Sequence, residues 1–387
     1  MLTNDICLEI TKYLNDKDKL RFISCNATLY RLIDKIIYMD RYTLGQIMHS
    51  KHYNNFSDVV FCIEDCHLFA LYGKHLYGYA TPWISKPTMP KNIKIVNIQS
   101  SVQLYDGFFI EGLKEIVFNY TYNFPINFKF PMSLETIFFS KHFDCDITKC
   151  LHGNIKNIIF GSYFNQPIDG CFHEGNYSIS FGSYFSQSLK NNIPKSVKLL
   201  KLRNISNVET GDIPESVLTL KLDTKNSYHL KYKKQDIQNI VPDGVRTLYV
   251  NYYNVNIPNS VKKLIIGKNY YDKCELIIPN SVINLTYSNN SKLPKLPNSI
   301  KNLYLDGEFN RTIVNVIPNG VERIEFGDNF NRKVDNCIPK SVTYIKFGIR
   351  FNNAINSLYN RKIHITMSSA YIVDQNNIGK DCIIEYY

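Results

Sequence analysis

A five-residue phrase returns through the second half of this chain at a nearly fixed spacing: Ile193-Pro194-Lys195-Ser196-Val197, Ile213–Val217, Ile257–Val261, Ile278–Val282 and Ile338–Val342. Looser copies stand at Val241–Val245, Leu296–Ile300 and Ile317–Val321, and Pro318 to Pro339 measures the unit as 21 residues. The register extends upstream on an apolar or aromatic marker that follows each phrase. Phe118, Phe139, Phe160, Phe181 and Leu202 are spaced 21 apart, and Leu222, Val250, Ile266, Tyr287, Leu305, Phe326 and Phe347 continue the series, giving about twelve units. Two positions before each marker stands Ile or Leu, from Ile116 to Ile345. Five positions before it stands Val, Leu or Ile, except at Asn176. A unit this short cannot enclose a core alone, so it must stack on its neighbours as one coil of a solenoid.

The spacing Val-x-x-Leu-x-Phe places the Leu and the aromatic on one face of an extended strand, because strand side chains alternate with period two. The fold class that follows is mainly β, a solenoid of about twelve coils. After the strand come Phe160-Gly161-Ser162-Tyr163-Phe164-Asn165 and its relatives from Phe181, Phe326 and Phe347. Here the glycine is expected to take a backbone conformation that a larger residue resists, and the second aromatic to return to the core. Asn165, Asn310, Asn331 and Asn352 are expected to form a ladder whose amides satisfy backbone groups in successive turns. Each proline closes the arm just before the next strand, where its missing N–H is tolerated. Two units are irregular, since Pro214 to Pro242 is 28 residues and Pro242 to Pro258 is 16. The longer one accommodates a loop over 225–236 carrying Lys231, Lys233 and Lys234, read as a solvated excursion or else a loop that contacts a partner.

The FG-x-x-F-N and I-P-x-S-V phrases at this period resemble the FNIP repeat family of amoebae and the giant viruses that infect them, over roughly residues 96–368. The resemblance implies a leucine-rich-repeat-like solenoid that binds other proteins.

Ahead of the repeats, Leu2, Ile6, Ile10 and Leu14 recur at helical spacing, and Asn15-Asp16-Lys17-Asp18 breaks that helix and caps a second. Leu20, Phe22 and Ile23 begin the second apolar group, and Leu29, Leu32, Ile33, Ile36 and Ile37 a third. Residues 1–41 thus read as a three-helix module, 42–95 as a connector and N-terminal cap with a strand near Val59 to Ile63, 96–368 as the solenoid and 369–387 as a C-terminal cap. The order Leu2, Asp5-Ile6, Glu9-Ile10, Tyr13-Leu14, Asp18, Leu20, Cys25 and Tyr30-Arg31-Leu32-Ile33 resembles an F-box, with Thr3 where that family usually has proline and no tryptophan near the module's end. The resemblance implies a Skp-type adaptor as partner, held by Leu2, Ile6, Ile10 and Leu14. It implies a role as substrate receptor of a cullin–RING ubiquitin ligase in the cytoplasm, the host's if the chain is viral. The alternative is a helical cap on a repeat scaffold with no ligase attached.

Other classes find little support. The net charge of +11 comes from 45 Lys and Arg against 34 Asp and Glu, spread without a basic block, so no nucleic-acid partner is expected. No apolar run long enough to cross a membrane occurs, and Asp5 and Glu9 stand where a secretory leader needs a basic start and an apolar run, so a soluble intracellular protein is expected. The ten cysteines are scattered, and Cys62, Cys66 and His67 form the one close group, short of a metal site. No nucleophile-and-base motif or phosphate-cradling loop occurs, so no catalysis and no cofactor are expected. His152 and His173, also 21 apart, would stack where Pro131 and Pro194 stand in neighbouring units, as turn residues.

The partner is expected on the outward strand face, along the positions one before each marker. That row starts apolar with Val117, Phe138 and Ile159, turns small or basic at Ser180, Lys201 and Lys221, and then carries Tyr249 and Tyr304. Phe138, Ile159, Lys201, Tyr249 and Tyr304 are the candidate contacts, unless the connector covers the first two.

Overall fold

The computed structural model describes residues 4–25, 27–47, 50–61, 92–98, 103–104, 106–119, 121–223, 239–251, 255–268, 276–371 and 378–387. The chain divides into two compact units, Met1–Gln187 and Ser188–Tyr387. Both are parallel β-solenoids. The first opens with helices α1 (Asn4–Thr11), α2 (Asp16–Ser24) and α3 (Ala27–Tyr30), then strand β1 (Tyr38–Thr43), helix α4 (Leu44–Ile47), β2 (Phe56–Phe61), β3 (Ile95–Ile98), β4 (Glu115–Phe118), β5 (Thr136–Phe138), β6 (Asn157–Ile159) and β7 (Ser178–Ser180). These strands pair in chain order, all parallel. The second unit runs β8 (Leu199–Leu202), β9 (Thr219–Leu222), β10 (Thr247–Val250), β11 (Lys263–Ile266), β12 (Asn284–Tyr287), β13 (Asn302–Leu305), β14 (Arg323–Phe326), β15 (Tyr344–Lys346), β16 (Ile363–Met367) and β17 (Cys382–Tyr386), again parallel and in order.

The expected register holds through the irregular coils as well. In the first unit Val96, Ile116, Ile137, Ile158 and Ile179 align across neighbouring strands. In the second, Leu200, Leu220, Leu248, Leu264, Leu285, Leu303, Ile324, Ile345 and Ile365 do the same. Every one of these side chains is fully buried. Strands β4 to β15 are the twelve read from the markers. Further strands lie outside that set, β1 to β3 before it and β16 and β17 after it, where no I-P-x-S-V phrase announces a coil.

Aromatic side chains fill the space behind the strands. The marker and the second aromatic of each turn stack, as in Phe160–Phe164 at 4.1 Å and Phe326–Phe330 at 4.0 Å between centroids. Each also stacks on its counterpart in the next coil, as Phe160 on Phe181 at 5.4 Å and Phe326 on Phe347 at 5.4 Å. Offset aromatic pairs of this kind add to burial.

Three corners complete a coil. At the first, the asparagine ladder forms as expected: the side-chain oxygens of Asn290, Asn310 and Asn331 accept from the backbone N–H of Asn310, Asn331 and Asn352, each at 3.0 Å. Asn123, Asp144 and Asn165 do likewise toward Asp144, Asn165 and Ser186. Glycine is required there for a different reason than expected. Gly182 and Gly348 do not have positive φ; instead a Cβ on Gly182 would lie 1.9 Å from the Gly161 carbonyl oxygen, and one on Gly348 2.4 Å from that of Gly327. The requirement is close approach of successive coils. At the second corner a left-handed residue recurs, Lys149, Gly170, Asn191, Asn315 and Asn336, with φ between 54° and 70°. At the third, the proline carbonyl accepts from the residue three on, as Pro194 from Val197 at 3.1 Å and Pro339 from Val342 at 3.2 Å. The serine of the phrase reaches back to the preceding coil, Ser341 Oγ donating to the Val321 carbonyl at 2.7 Å and Ser133 to that of Leu113 at 2.9 Å. Asn176, the one break in the Val row, is fully buried and donates to the Ile155 carbonyl at 2.6 Å while accepting from the His173 N–H at 2.7 Å.

The N-terminal helices differ from the sequence reading in one respect. Asn15 caps α2 through Asp18 N–H at 2.9 Å, as expected, but the third apolar group forms only a four-residue helix and a short 3-10 turn. The β-branched pair Ile36–Ile37 leads straight into β1. What fixes α2 is a buried ion pair. Lys19 Nζ donates to Asp16 at 2.7 Å and to the Ile37 carbonyl at 2.9 Å. Asp16 also accepts from the N–H groups of Met39 at 3.0 Å and Asp40 at 2.8 Å, so it occupies donors along β1.

Two outcomes test this fold. Ile324→Asp buries an unpaired carboxylate between coils and is expected to cost several kcal/mol in denaturant unfolding; an unchanged midpoint would contradict the register. Asp16→Asn strands a buried ammonium and is expected to cost about 3–5 kcal/mol, seen as faster hydrogen exchange in α2 and β1. Burial opposes ionisation of Asp16, but Lys19 and the Met39 and Asp40 N–H groups outweigh it and hold its pKa below the usual carboxylate value. That contribution is complete above the unfolded pKa of about 3.9 and fades as pH falls through the depressed folded value.

Candidate protein-binding face

Alternation along each strand leaves two rows facing outward. In the second unit the row before the markers runs Lys201, Lys221, Tyr249, Ile265, Thr286, Tyr304, Glu325 and Lys346, each directly across from the next. All eight are half-buried, the exposure of side chains that stand on a sheet shielded only by their neighbours. The structure thus brings Lys201 and Tyr249 close, separated by Lys221, and sets Tyr304 three strands further on. Phe138 and Ile159 are direct neighbours on β5 and β6 in the first unit, flanked by Val117 and Ser180 and also half-buried. Most of the connector expected to cover them, 62–91, lies outside the described residues, as do the lysine loop 225–236 and the Cys62, Cys66 and His67 group.

Over β12 to β15 this face opens into a cavity of about 620 Å³. Thr286, Tyr304, Glu325 and Lys346 form its floor, and Asp306, Asp328 and Ile349, from the turns that follow β13, β14 and β15, form one side. Tyr387 stands at the β15 end: its hydroxyl donates to the Phe347 carbonyl at 2.8 Å, and Lys346 Nζ lies 5.5 Å from its ring centroid. Burial and the Asp328 charge push the Tyr387 hydroxyl pKa up. Beside the floor Arg323 grips Glu325 through Nε at 2.8 Å and Nη2 at 2.7 Å and stacks 3.7 Å over the Tyr344 ring. Tyr304 was legible as a member of its row, but the cavity was not, because Tyr387 stands outside the repeats and its return is a tertiary event.

A second polar group gathers where β8 to β10 end. Asp223, almost buried, accepts from Asn251 Nδ2 at 2.9 Å and lies 3.8 Å from Lys201 Nζ and 3.7 Å from Arg203 Nε. Burial and Asp223 together raise the Tyr249 pKa. In the first unit Asp58 accepts from Arg41 Nε at 3.1 Å and Asn97 Nδ2 at 3.1 Å, and neighbouring Glu115 has its pKa raised by burial and by Asp58, against Arg41. Neither group follows from the repeat, since each uses a position where the motif allows any residue.

Of the adaptor candidates, Leu2 lies outside the described residues. Ile6 is exposed, and Ile10 and Leu14 are half-buried. Helix α1 buries Cys7 and Thr11 instead, so the Ile6 side of the helix remains open to solvent, as does Tyr13 in the turn that follows. His152 and His173 occupy the proline corner as expected, accepting through their carbonyls from Ile155 and Asn176 at 3.1 Å. Among the described residues no group of three or more His, Cys, Asp or Glu is placed to hold a metal, and no helix is long and apolar enough to cross a membrane.

Comparison with known proteins agrees with this architecture. The model of the FNIP Repeat matches residues 287–329, 309–350 and 330–358, the coils that build the cavity. The crystal structure of CroV588, described as a novel circular LRR protein, superposes with a TM-score of 0.57 at 21% identity over 86% of this chain. This chain spans 50% of that one, and the likeness is one of fold. A leucine-rich repeat protein of Bacteroides ovatus aligns with a TM-score of 0.16 at 13% identity, covering 77% of this chain and 84% of that one. No curated protein matches.

Phe138→Ala is expected to cost about 1–2 kcal/mol, part of the usual core penalty because the ring is half-buried, and Tyr304→Ala under about 1 kcal/mol. Thermal melting of both variants checks the ordering.

Proposed function

We propose that the chain is a repeat scaffold that captures another protein on its outward strand face, and that its N-terminal helices attach it to a Skp-type adaptor as substrate receptor of a cullin–RING ubiquitin ligase. The capture reading rests on one observation: the cavity over β12 to β15, with Tyr304 on its floor, on a face that the packing leaves uncovered among the described residues. A solenoid offers its strand face to ligands because that surface is wide, rigid and free of backbone demands. Half-buried tyrosines suit it, since they combine apolar area with a hydrogen-bonding tip at small entropic cost.

The adaptor reading is finer and rests on helix α1. Ile6 is 47% exposed and Tyr13 83%, more than a helix whose only task is to cap a solenoid needs to show. The cap reading has its own support in the Asp16–Lys19 pair that fastens α2 to β1, and one module can serve both ends. In this role the chain works in the cytoplasm, the host's if a virus encodes it, and does no chemistry itself.

Co-expression with an amoebal Skp adaptor and affinity pull-down tests the adaptor reading. Wild type is expected to retain adaptor and the triple variant Leu2→Ala, Ile6→Ala, Ile10→Ala to lose most of it. Equal recovery would leave the scaffold without a ligase. Capture of a target that depends on Tyr249 and Tyr304 but not on α1 would support the scaffold reading alone.

A further inference from the structure

We propose that the cavity over β12 to β15 is a subsite for a basic side chain, arginine or lysine, presented by an extended segment of the captured protein; this rests on the capture reading above. Two of the charges around the cavity are already satisfied. Glu325 is taken up by Arg323 through two nitrogens at 2.7 and 2.8 Å. Lys346 is held against the Tyr387 ring. Asp306 and Asp328 remain. Asp328 accepts one N–H from Ile349 at 3.3 Å, and among the described residues no donor or cation reaches the Asp306 carboxylate. Both are exposed and come from the turns after β13 and β14, one position out of register: Leu305 pairs with Phe326, so Asp306 stands opposite Gly327 and Asp328 opposite Gly307.

Their surroundings select the occupant. Tyr304 stands on the floor, on β13 beside β14, the strands whose turns carry the two carboxylates, so a cation between them would also meet an aromatic ring. Thr286 and the Tyr387 side offer polar edges, and the volume of about 620 Å³ admits a whole long side chain with part of its backbone. An anionic segment would face Asp306 and Asp328 with only the ring-bound Lys346 in its favour. The net charge of +11 repels basic ligands at long range, so the local carboxylates have to overcome it.

The test uses the full chain and a fluorescein-labelled octa-arginine peptide, read by anisotropy at about 0.15 M salt. Wild type is expected to bind, the double variant Asp306→Asn, Asp328→Asn to bind about tenfold more weakly, and labelled octa-glutamate not to bind. Both aspartates are exposed, and Asp328→Asn keeps a side-chain oxygen to accept from Ile349, so melting is expected to stay unchanged. Absence of octa-arginine binding by wild type, or equal binding by the double variant, overturns the subsite. So does a wild-type dimer in sedimentation that the double variant abolishes, because the occupant would then be a second copy. Failure of the subsite with target capture still sensitive to Tyr249→Ala leaves the scaffold reading standing, whereas capture indifferent to Tyr249→Ala and Tyr304→Ala alike removes the scaffold reading too.

Discussion

Stacking of one strand on the next is the constraint on which everything else in this protein depends. A strand of three or four residues buries one face and bonds on two edges, and it can do neither alone. The Ile and Leu row satisfies the face, and the parallel ladder satisfies the edges. Each corner then has to return the chain by one strand spacing, and the corner devices are contacts between successive coils. Asn310 bonds to the backbone of the next coil, Ser341 to that of the preceding one, and Gly348 allows the two backbones to touch. Stability is therefore distributed, and a fault in one coil is felt by its two neighbours.

A solenoid must also end, and the first unit shows how. A strand edge left open invites pairing with other chains. Asp16 of α2 accepts from Met39 and Asp40 N–H groups on β1, so a side chain substitutes for a further strand, and buried Lys19 balances its charge. Helix α2 is thus part of the sheet's termination whatever else the module binds. Helix α1 in turn buries Cys7 and Thr11 and leaves Ile6 exposed.

The repeat made the coils, their register and the inward rows legible in sequence, because burial forces period two within a strand and stacking forces a fixed unit length. The asparagine ladder was legible for the same reason. The glycine of the FG turn is legible, but its cause is not: φ cannot be read from sequence, and the steric reason lies in a neighbouring coil. The left-handed corner at Lys149, Asn191 and Asn336 is not legible in the sequence because different residue types occupy it in different coils. On the outward face, Tyr304 was identified as one of a row. The cavity was not, since it arises from Asp306 and Asp328 in turns of free composition and from Tyr387 outside the period. Repeats encode architecture, whereas the cavity lies in the departures from the repeat.

If partners engage the outward strand face of the second unit, contact must be local to that face. Photo-crosslinking tests this most directly, with p-benzoylphenylalanine placed singly at Tyr304 and at Val314, which is 51% exposed on a corner of the same unit. The account predicts that a captured protein crosslinks to position 304 and not to position 314. Crosslinks confined to position 314 would contradict it.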